Sequence, residues 1–448
     1  MKTGIFLFTF FSLFILNTSL AQKPASSQKL DSLLQVLNQK NKAMVSVSIS
    51  RNGALEYSNA TGFIDNTGAS PILSNTETCY RIGSISKMFT TVMILQLVEE
   101  GKITTDTRLS AFYKKVPNAD KITIGDLLNH HSGLYNFTNS DDYTTWMTEP
   151  RSKAQLLQLI ESQNPAFEPR EKAEYSNTNF VLLGFIIEDV TGKTYQHNLS
   201  ERITSRIGLK NTMYGNKINH SANEASSFEF SNEKWKLLPE TDMSIPHGAG
   251  ALISTTPDLT TFITALFNGK LLNDNSVKTM TTITDGYGSG LFKIPFYEKS
   301  AFGHNGGIDG FSSSLAYFPD EKVAIAFCSN GLNFPMNDIL IGVLSCYYGK
   351  PYQIPDFKSV AISPEKLKAY EGEYSSEQLP LLITVKVADG KLTAQATGQG
   401  AFPLESVSEQ EFHFDQAGVV MLFDIQTDGT VSGFILRQGA EYQYTKVK

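Results

Sequence analysis

A serine and a lysine three residues apart open a long apolar run in this chain, Arg81-Ile82-Gly83-Ser84-Ile85-Ser86-Lys87-Met88-Phe89. On a helix that spacing puts both side chains on one face, one turn apart, so the Lys87 amine would lie beside the Ser84 hydroxyl. A serine hydroxyl is a weak nucleophile and needs a base. A lysine serves as that base when burial or nearby positive charge favours its neutral form. The helix itself is predicted by Ile85, Met88, Phe89, Val92, Leu95 and Val98, which share one apolar face, with Gly101 as the stop. Its N-terminus would aim backbone N–H groups and the positive end of the dipole at a developing oxyanion. Ser-x-x-Lys recurs at Ser26/Lys29, Ser231/Lys234 and Ser363/Lys366, where a solvated surface pair is the ordinary reading. Ser84 differs in opening an apolar helix and in having partner motifs downstream.

The first partner is Tyr175-Ser176-Asn177. A tyrosine beside a lysine loses its proton more readily and can relay protons between Ser84 and a leaving group. Asn177 offers an amide donor to a substrate carbonyl and an acceptor to the Lys87 ammonium. Tyr57-Ser58-Asn59 and Tyr214-Gly215-Asn216 match the same pattern, but the former sits in an opening hairpin and the latter in a loop-like stretch with no apolar helix behind it. The second partner is His304-Asn305-Gly306-Gly307, in a strand-like context whose glycines allow close backbone approach. The N–H groups of Ser84 and Gly307 together could form an oxyanion hole.

Taken in order and at these spacings, Ser84-Ile85-Ser86-Lys87, Tyr175-Ser176-Asn177 and His304-Asn305-Gly306 resemble the three motifs of the penicillin-recognising serine hydrolases, in the branch of class C β-lactamases, DD-peptidases, D-aminopeptidases and esterases. The stretches Ile124 to Leu134 and Gly248 to Asp258 are similar to family segments, and the resemblance spans Gln28 to Gly349. It implies that Ser84 is acylated, that Lys87 and Tyr175 share acid–base work, and that Asn177, His304, Asn305 and Gly306 bind substrate. It also implies an oxyanion hole of the Ser84 and Gly307 N–H groups, with no metal or organic cofactor. The expected fold is α+β: a β-lactamase-like antiparallel sheet flanked by helices, beside a helical subdomain. One departure bears on the substrate. The third motif often begins with lysine, whose fixed charge holds a substrate carboxylate, whereas His304 is largely neutral near pH 7. That disfavours efficient β-lactam hydrolysis and favours amides or esters, such as D-amino-acid cell-wall peptides or small esters. The alternative is a penicillin-binding sensor that is acylated and turns over slowly, and a third reading is a ligand carrier built on the C-terminal region.

Other chemistries are poorly supported. No Gly-x-Ser-x-Gly elbow occurs, and His130-His131, being adjacent, diverge rather than converge on a metal. Cys79, Cys328 and Cys346 lack C-x-x-C spacing and read as buried thiols, with one bridge left open.

Elements to hold these motifs are legible around them. Leu30, Leu33, Leu34 and Leu37 mark a short helix, and alternation over Val45 to Ser50 followed by Asn52-Gly53 predicts a hairpin. Helices are predicted over Ser152 to Ser162, Asn177 to Val190, from Thr256-Pro257-Asp258, and over Asn337 to Tyr347. Strands are predicted over Gly290 to Phe302, Ser312 to Phe318 and Val323 to Ser329. Prolines 351, 355 and 364 suggest a linker over 351–362 between a 22–350 hydrolase domain and a 363–448 domain, a small all-β barrel or sandwich. Residues 1–21 read as a secretory signal: Lys2, the apolar run Ile5 to Leu16, then Ser19-Leu20-Ala21. The expectation is export to a periplasm or the outside, without a transmembrane anchor after cleavage. A net charge of −7 spread over 448 residues, with no basic run, points away from nucleic acid and towards small-molecule or peptide substrates. Oligomeric state is left open.

Overall fold

The computed structural model describes residues 25–447; the signal-like stretch lies outside them. The chain opens with α1 (Ala25–Gln39), β1 (Ala43–Arg51) and β2 (Ala54–Thr61). The middle of the chain is helical: α2 (Ser86–Glu99), α3 (Ile124–Leu128), α4 (Lys153–Glu161), α5 (Asn177–Thr191) and α6 (Thr256–Phe267). Four strands follow, β3 (Phe292–Phe296), β4 (Lys299–Ile308), β5 (Phe311–Phe318) and β6 (Val323–Leu332), then α7 (Met336–Tyr348). The antiparallel sheet runs β3-β4-β5-β6-β1-β2, so the first hairpin completes a sheet whose other strands lie more than 230 residues later in the chain. The predicted strand Gly290 to Phe302 is two strands joined by a turn at Tyr297 and Glu298.

Each face of this sheet has its own core. Val45, Val47 and Ile49 pack with α1 and α7. The alternate positions Ser46 and Ser48 do not face solvent as a two-sided hairpin would have them; both hydroxyls bond Thr256 Oγ1 at 2.9 and 2.8 Å. They thereby seat α6 on the sheet. Its N-cap is Thr255, one residue before the predicted position. The helix α2 also departs from expectation. It has no solvent face, because every residue from Ser86 to Leu97 is buried. Buried side-chain donors on it find partners: Thr91 Oγ1 donates to Lys87 O at 2.9 Å and Gln96 Nε2 to Leu271 O at 3.0 Å, while Gln96 Oε1 has no partner among the described residues. This central helix joins the sheet to the helical layer of α3, α4 and α5.

Residues 350–363 carry no helix or strand, yet they are not a loose tether. Tyr352, Ile354 and Phe357 pack against the α1/α7 core, and Val360 N donates to Ser406 O at 2.8 Å. Beyond them, nine strands form one antiparallel sheet with its own core. In chain order they are β7 (Gly372–Ser375), β8 (Ile383–Ala388), β9 (Lys391–Ala396), β10 (Phe402–Pro403), β11 (Glu405–Ser406), β12 (Glu411–Phe414), β13 (Val419–Ile425), β14 (Val431–Arg437) and β15 (Glu441–Lys446). The spatial order is β10-β9-β8-β7-β15-β14-β13-β12-β11. Its outermost strands are separated in sequence by Leu404 alone, so the sheet curls into a nearly closed barrel. Cys79, Cys328 and Cys346 are free and buried. Among the described residues no helix is long and apolar enough to cross a membrane, and no cluster of His, Cys, Asp or Glu could hold a metal ion.

Candidate active site

Ser84 does not begin the α-helix. It lies in a single 3₁₀ turn, Gly83–Ile85, that leads into α2. Gly83 has φ +48°, and a Cβ there would come within 2.8 Å of both N and O of Gly307. Only glycine fits such a conformation at such a distance. The turn lies against a free strand edge: β3 begins only at Phe292, opposite Gly303, which leaves residues 304–308 of β4 unpaired on that side. A Cβ on Gly306 would meet Ile82 O at 2.0 Å, whereas one on Gly307 would meet nothing within 4 Å. The glycine that close approach demands is therefore Gly306, and what approaches is the nucleophile turn itself. Ser313 Oγ, on the neighbouring β5, donates to Ile82 O at 2.9 Å and fastens the two segments.

Lys87 Nζ lies 2.9 Å from Ser84 Oγ, 2.8 Å from Asn177 Oδ1 and 2.7 Å from Ala249 O. Tyr175 OH donates to Ser84 Oγ at 2.7 Å. The first two motifs thus meet at one oxygen, Ser84 Oγ, and Ala249 joins them through Lys87. Among the described residues no carboxylate pairs with Lys87, and burial holds its pKa well below the usual lysine value. The Tyr175 ring, 4.9 Å from Nζ, favours the cation but does not outweigh that burial. Tyr175 itself goes the other way from the sequence expectation: burial raises its pKa, and the Ser84 hydrogen bond offsets this only in part. It is a protonated phenol, not a ready phenolate.

His304 is buried beside Tyr175 and Phe292, with ring centroids 6.1 and 4.7 Å away. Burial, then the nearby Lys87, push its pKa down to about 3. Its Nδ1 contacts the Asn305 carbonyl oxygen, which can only accept, so Nδ1 carries the hydrogen and Nε2 is a bare acceptor. The Asn305 side chain is exposed and makes no hydrogen bond among the described residues.

Several positioning groups carry no mark that sequence reading could use. Asn177 Nδ2 donates to Thr138 Oγ1 at 2.9 Å, and Thr138 in turn donates to Asn136 Oδ1 at 3.0 Å. Asn136 Oδ1 also accepts from Asn177 N at 3.0 Å. His130, with φ +64°, packs its ring 4.6 Å from that of Tyr175 and accepts at Nδ1 from Ser176 N at 3.2 Å. Ala249 and His130 fall inside the two family-like flanking segments, which is the only sequence signal they had.

The arrangement has the parts an acyl-transfer site needs: a serine hydroxyl, a lysine amine whose pKa burial lowers, a phenol donor and backbone N–H groups along a strand edge. Comparison with known proteins agrees. Penicillin-binding protein 4* of Bacillus subtilis (strain 168) is 25% identical over 463 aligned residues, covering 95% of this chain and 100% of that protein. Teichoic acid D-alanine hydrolase of Staphylococcus aureus is 27% identical over 293 residues, 64% of this chain and 71% of the relative. The crystal structure of a D-stereospecific amidohydrolase from Streptomyces sp. superposes with a TM-score of 0.62 at 26% identity, covering 73% of this chain and 100% of that one. The Beta-lactamase family profile matches residues 30–341, from α1 through β4 and into α7, and so takes in all three motifs. With that match covering well over half its length, the chain belongs to the beta-lactamase family, the penicillin-recognising serine hydrolases.

Proposed function

We propose that this protein is an exported hydrolase that cleaves amides or esters of D-amino acids through a Ser84 acyl-enzyme. The observation that carries the reading is the position of Ser84 Oγ between the Lys87 amine and the Tyr175 phenol, with no carboxylate paired with Lys87 among the described residues. Neutral Lys87 donates its two hydrogens to Asn177 Oδ1 and Ala249 O and keeps its lone pair towards Ser84. It takes the serine proton as Oγ attacks the substrate carbonyl. The oxyanion is held by the N–H groups of Ser84 and Gly307. Tyr175 gives its proton to the leaving nitrogen or oxygen and regains one from the Lys87 ammonium. Water then attacks the ester, losing its proton to the same pair, and Oγ leaves as the hydroxyl. Asn177 orients the acyl group, and His304, Asn305 and Gly306 border the leaving-group side.

The choice of amides or esters over substrates with a free carboxylate is supported by His304. A neutral imidazole with a bare Nε2 gives a substrate carboxylate no cation to pair with, which weighs against penicillins and free C-terminal peptides. The D-amino-acid assignment is supported by the likeness to a D-stereospecific amidohydrolase and to a teichoic acid D-alanine hydrolase. Export is supported by the signal-like Met1–Ala21. The test is turnover of D- and L-alanine and D- and L-phenylalanine p-nitroanilides, an alanyl ester and a chromogenic cephalosporin, with Ser84→Ala as control. We expect D over L by at least about tenfold, slow cephalosporin turnover, and loss of about a thousandfold or more in Ser84→Ala. A preference for L-substrates or for the cephalosporin would overturn the substrate, and full activity in Ser84→Ala would overturn the mechanism. A slowly deacylating penicillin-binding protein is the second reading, favoured by the full-length likeness to penicillin-binding protein 4*. A penicillin adduct that persists for hours by intact mass spectrometry would select it.

A further inference from the structure

The C-terminal barrel is filled at one end and hollow at the other. At the filled end, Tyr370, Tyr374, Phe412, Phe423 and Phe434 interlock, with centroids 4.9 to 5.4 Å apart for the Tyr370–Phe412, Tyr374–Phe434 and Phe412–Phe423 pairs. At the hollow end lies a cavity of ≈160 Å³. The inward rows of two strands account for the difference. Along β13 the inward residues grow from Val419 through Met421 to Phe423, away from the cavity. Along β9 they shrink from Leu392 to Ala394 to Ala396, towards it. A barrel of this size normally fills itself with side chains, and an empty apolar cavity destabilises in proportion to its volume.

The lining is wholly uncharged. Its walls include Ile383, Ala394, Met421 and Leu436, and its rim includes the amides of Gln399 and Gln438. One lip is the segment Leu379-Pro380-Leu381-Leu382, of which Leu379 and Leu381 line the cavity and Leu382 is 37% exposed. Tyr444 also lines it; its hydroxyl is fully buried and has no hydrogen-bond partner among the described residues.

We propose that this barrel mouth is a binding site for the end of a hydrocarbon chain, belonging to an amphiphile whose uncharged polar part lies at the Gln399/Gln438 rim. The volume matches about six carbons, since a cavity of roughly this size holds one benzene. The uncharged lining excludes a charged end inside the mouth, and the leucine lip provides an apolar entry.

The test is calorimetric titration of the full chain with n-butanol, n-hexanol and n-octanol, and with n-octyl glucoside below its micelle concentration, beside hydrolase turnover. Saturable one-to-one binding is expected, strengthening from butanol to hexanol, with octyl glucoside as the tightest. Ala394→Leu, or Ala396→Leu should the first variant not fold, fills the cavity and is expected to weaken binding at least about tenfold with turnover unchanged. No saturable binding to the wild-type chain overturns the proposal, as does undiminished binding in a folded filled variant. The wild-type titration decides the matter even if neither variant folds.

Discussion

Lys87 touches three oxygens, and the differences among them suit it to act as the base of the proposed mechanism. Asn177 Oδ1 and Ala249 O can only accept, so they claim two amine hydrogens and turn the third tetrahedral position to Ser84. The lone pair of a neutral amine then has one place to point. This depends on the Asn177 amide being held with its oxygen inward, which is the work of Thr138. Thr138→Val should therefore leave stability nearly unchanged but lower kcat/KM by about tenfold, because a flipped amide presents NH₂ to Lys87. Thr138→Ser should restore the rate. Steady-state kinetics of both variants, beside their melting temperatures, checks this; equal loss in Val and Ser variants would exclude the amide as the cause.

At the scale of elements, the site depends on keeping the Gly83–Ile85 turn against the free edge of β4. Arg81 lies just before that turn and Asp309 just after that edge. Their ion pair is 2.9 Å long, with side chains 2% and 1% exposed. The guanidinium also donates to Thr241 O at 2.8 Å, Asn216 O at 3.1 Å and Glu240 Oε2 at 3.0 Å. Asp309 Oδ1 accepts from both N and Oγ1 of Thr241. Removing one partner of a buried pair leaves an uncompensated charge, so Asp309→Ala should cost about 3 kcal/mol, the low end for such pairs because Glu240 remains. Denaturant unfolding measures it. A loss under about 1 kcal/mol would mean that backbone contacts alone hold the two segments.

For the whole molecule, three buried histidines, His130, His247 and His304, couple folding to pH, because burial pushes the pKa of each down. His304 and His247 are both buried, and burial pushes each pKa down to about 3. Lys87 lowers His304 further and Lys153 does the same for His247. His247 also sits at φ +35°, two residues before Ala249, and its Nδ1 meets Tyr214 OH at 3.0 Å. In the unfolded chain each would take a proton near the ordinary value of 6.5. The unfolded state thus binds more protons between those limits. Stability is complete above the unfolded value and falls as pH drops towards the folded one. By about pH 4.5 His247 and His304 should each have cost roughly 2–3 kcal/mol. Denaturant melts at neutral and acid pH should show that fall, and the double variant His247→Gln/His304→Gln should lose a large part of it, the remainder staying with His130. An unchanged acid dependence in the double variant would assign the effect to other groups.

Much of this was legible in the amino-acid order. The motifs at Ser84, Tyr175 and His304, the hairpin at Asn52-Gly53, the helix from Asn177 and the β-rich C-terminal third follow from local rules: periodicity, turn chemistry and residue type. Such rules reach only a few residues along the chain. They say that Ser84 and Lys87 share a helix face, but not that α2 is buried all round, because burial is set by what other segments bring to it. They allowed Tyr175 to be an easily ionised phenol; its raised pKa follows from enclosure by His130, Tyr287 and the strand edge, which lie remote in sequence. Ala249, Thr138 and Asn136 act through a carbonyl, a hydroxyl and an amide of ordinary residues, which nothing in their composition distinguishes. The sequence by itself determined which groups could do chemistry and which local elements carry them. Only the tertiary structure decided their protonation states and partners, because desolvation and hydrogen-bond geometry depend on atoms close in space and distant along the chain.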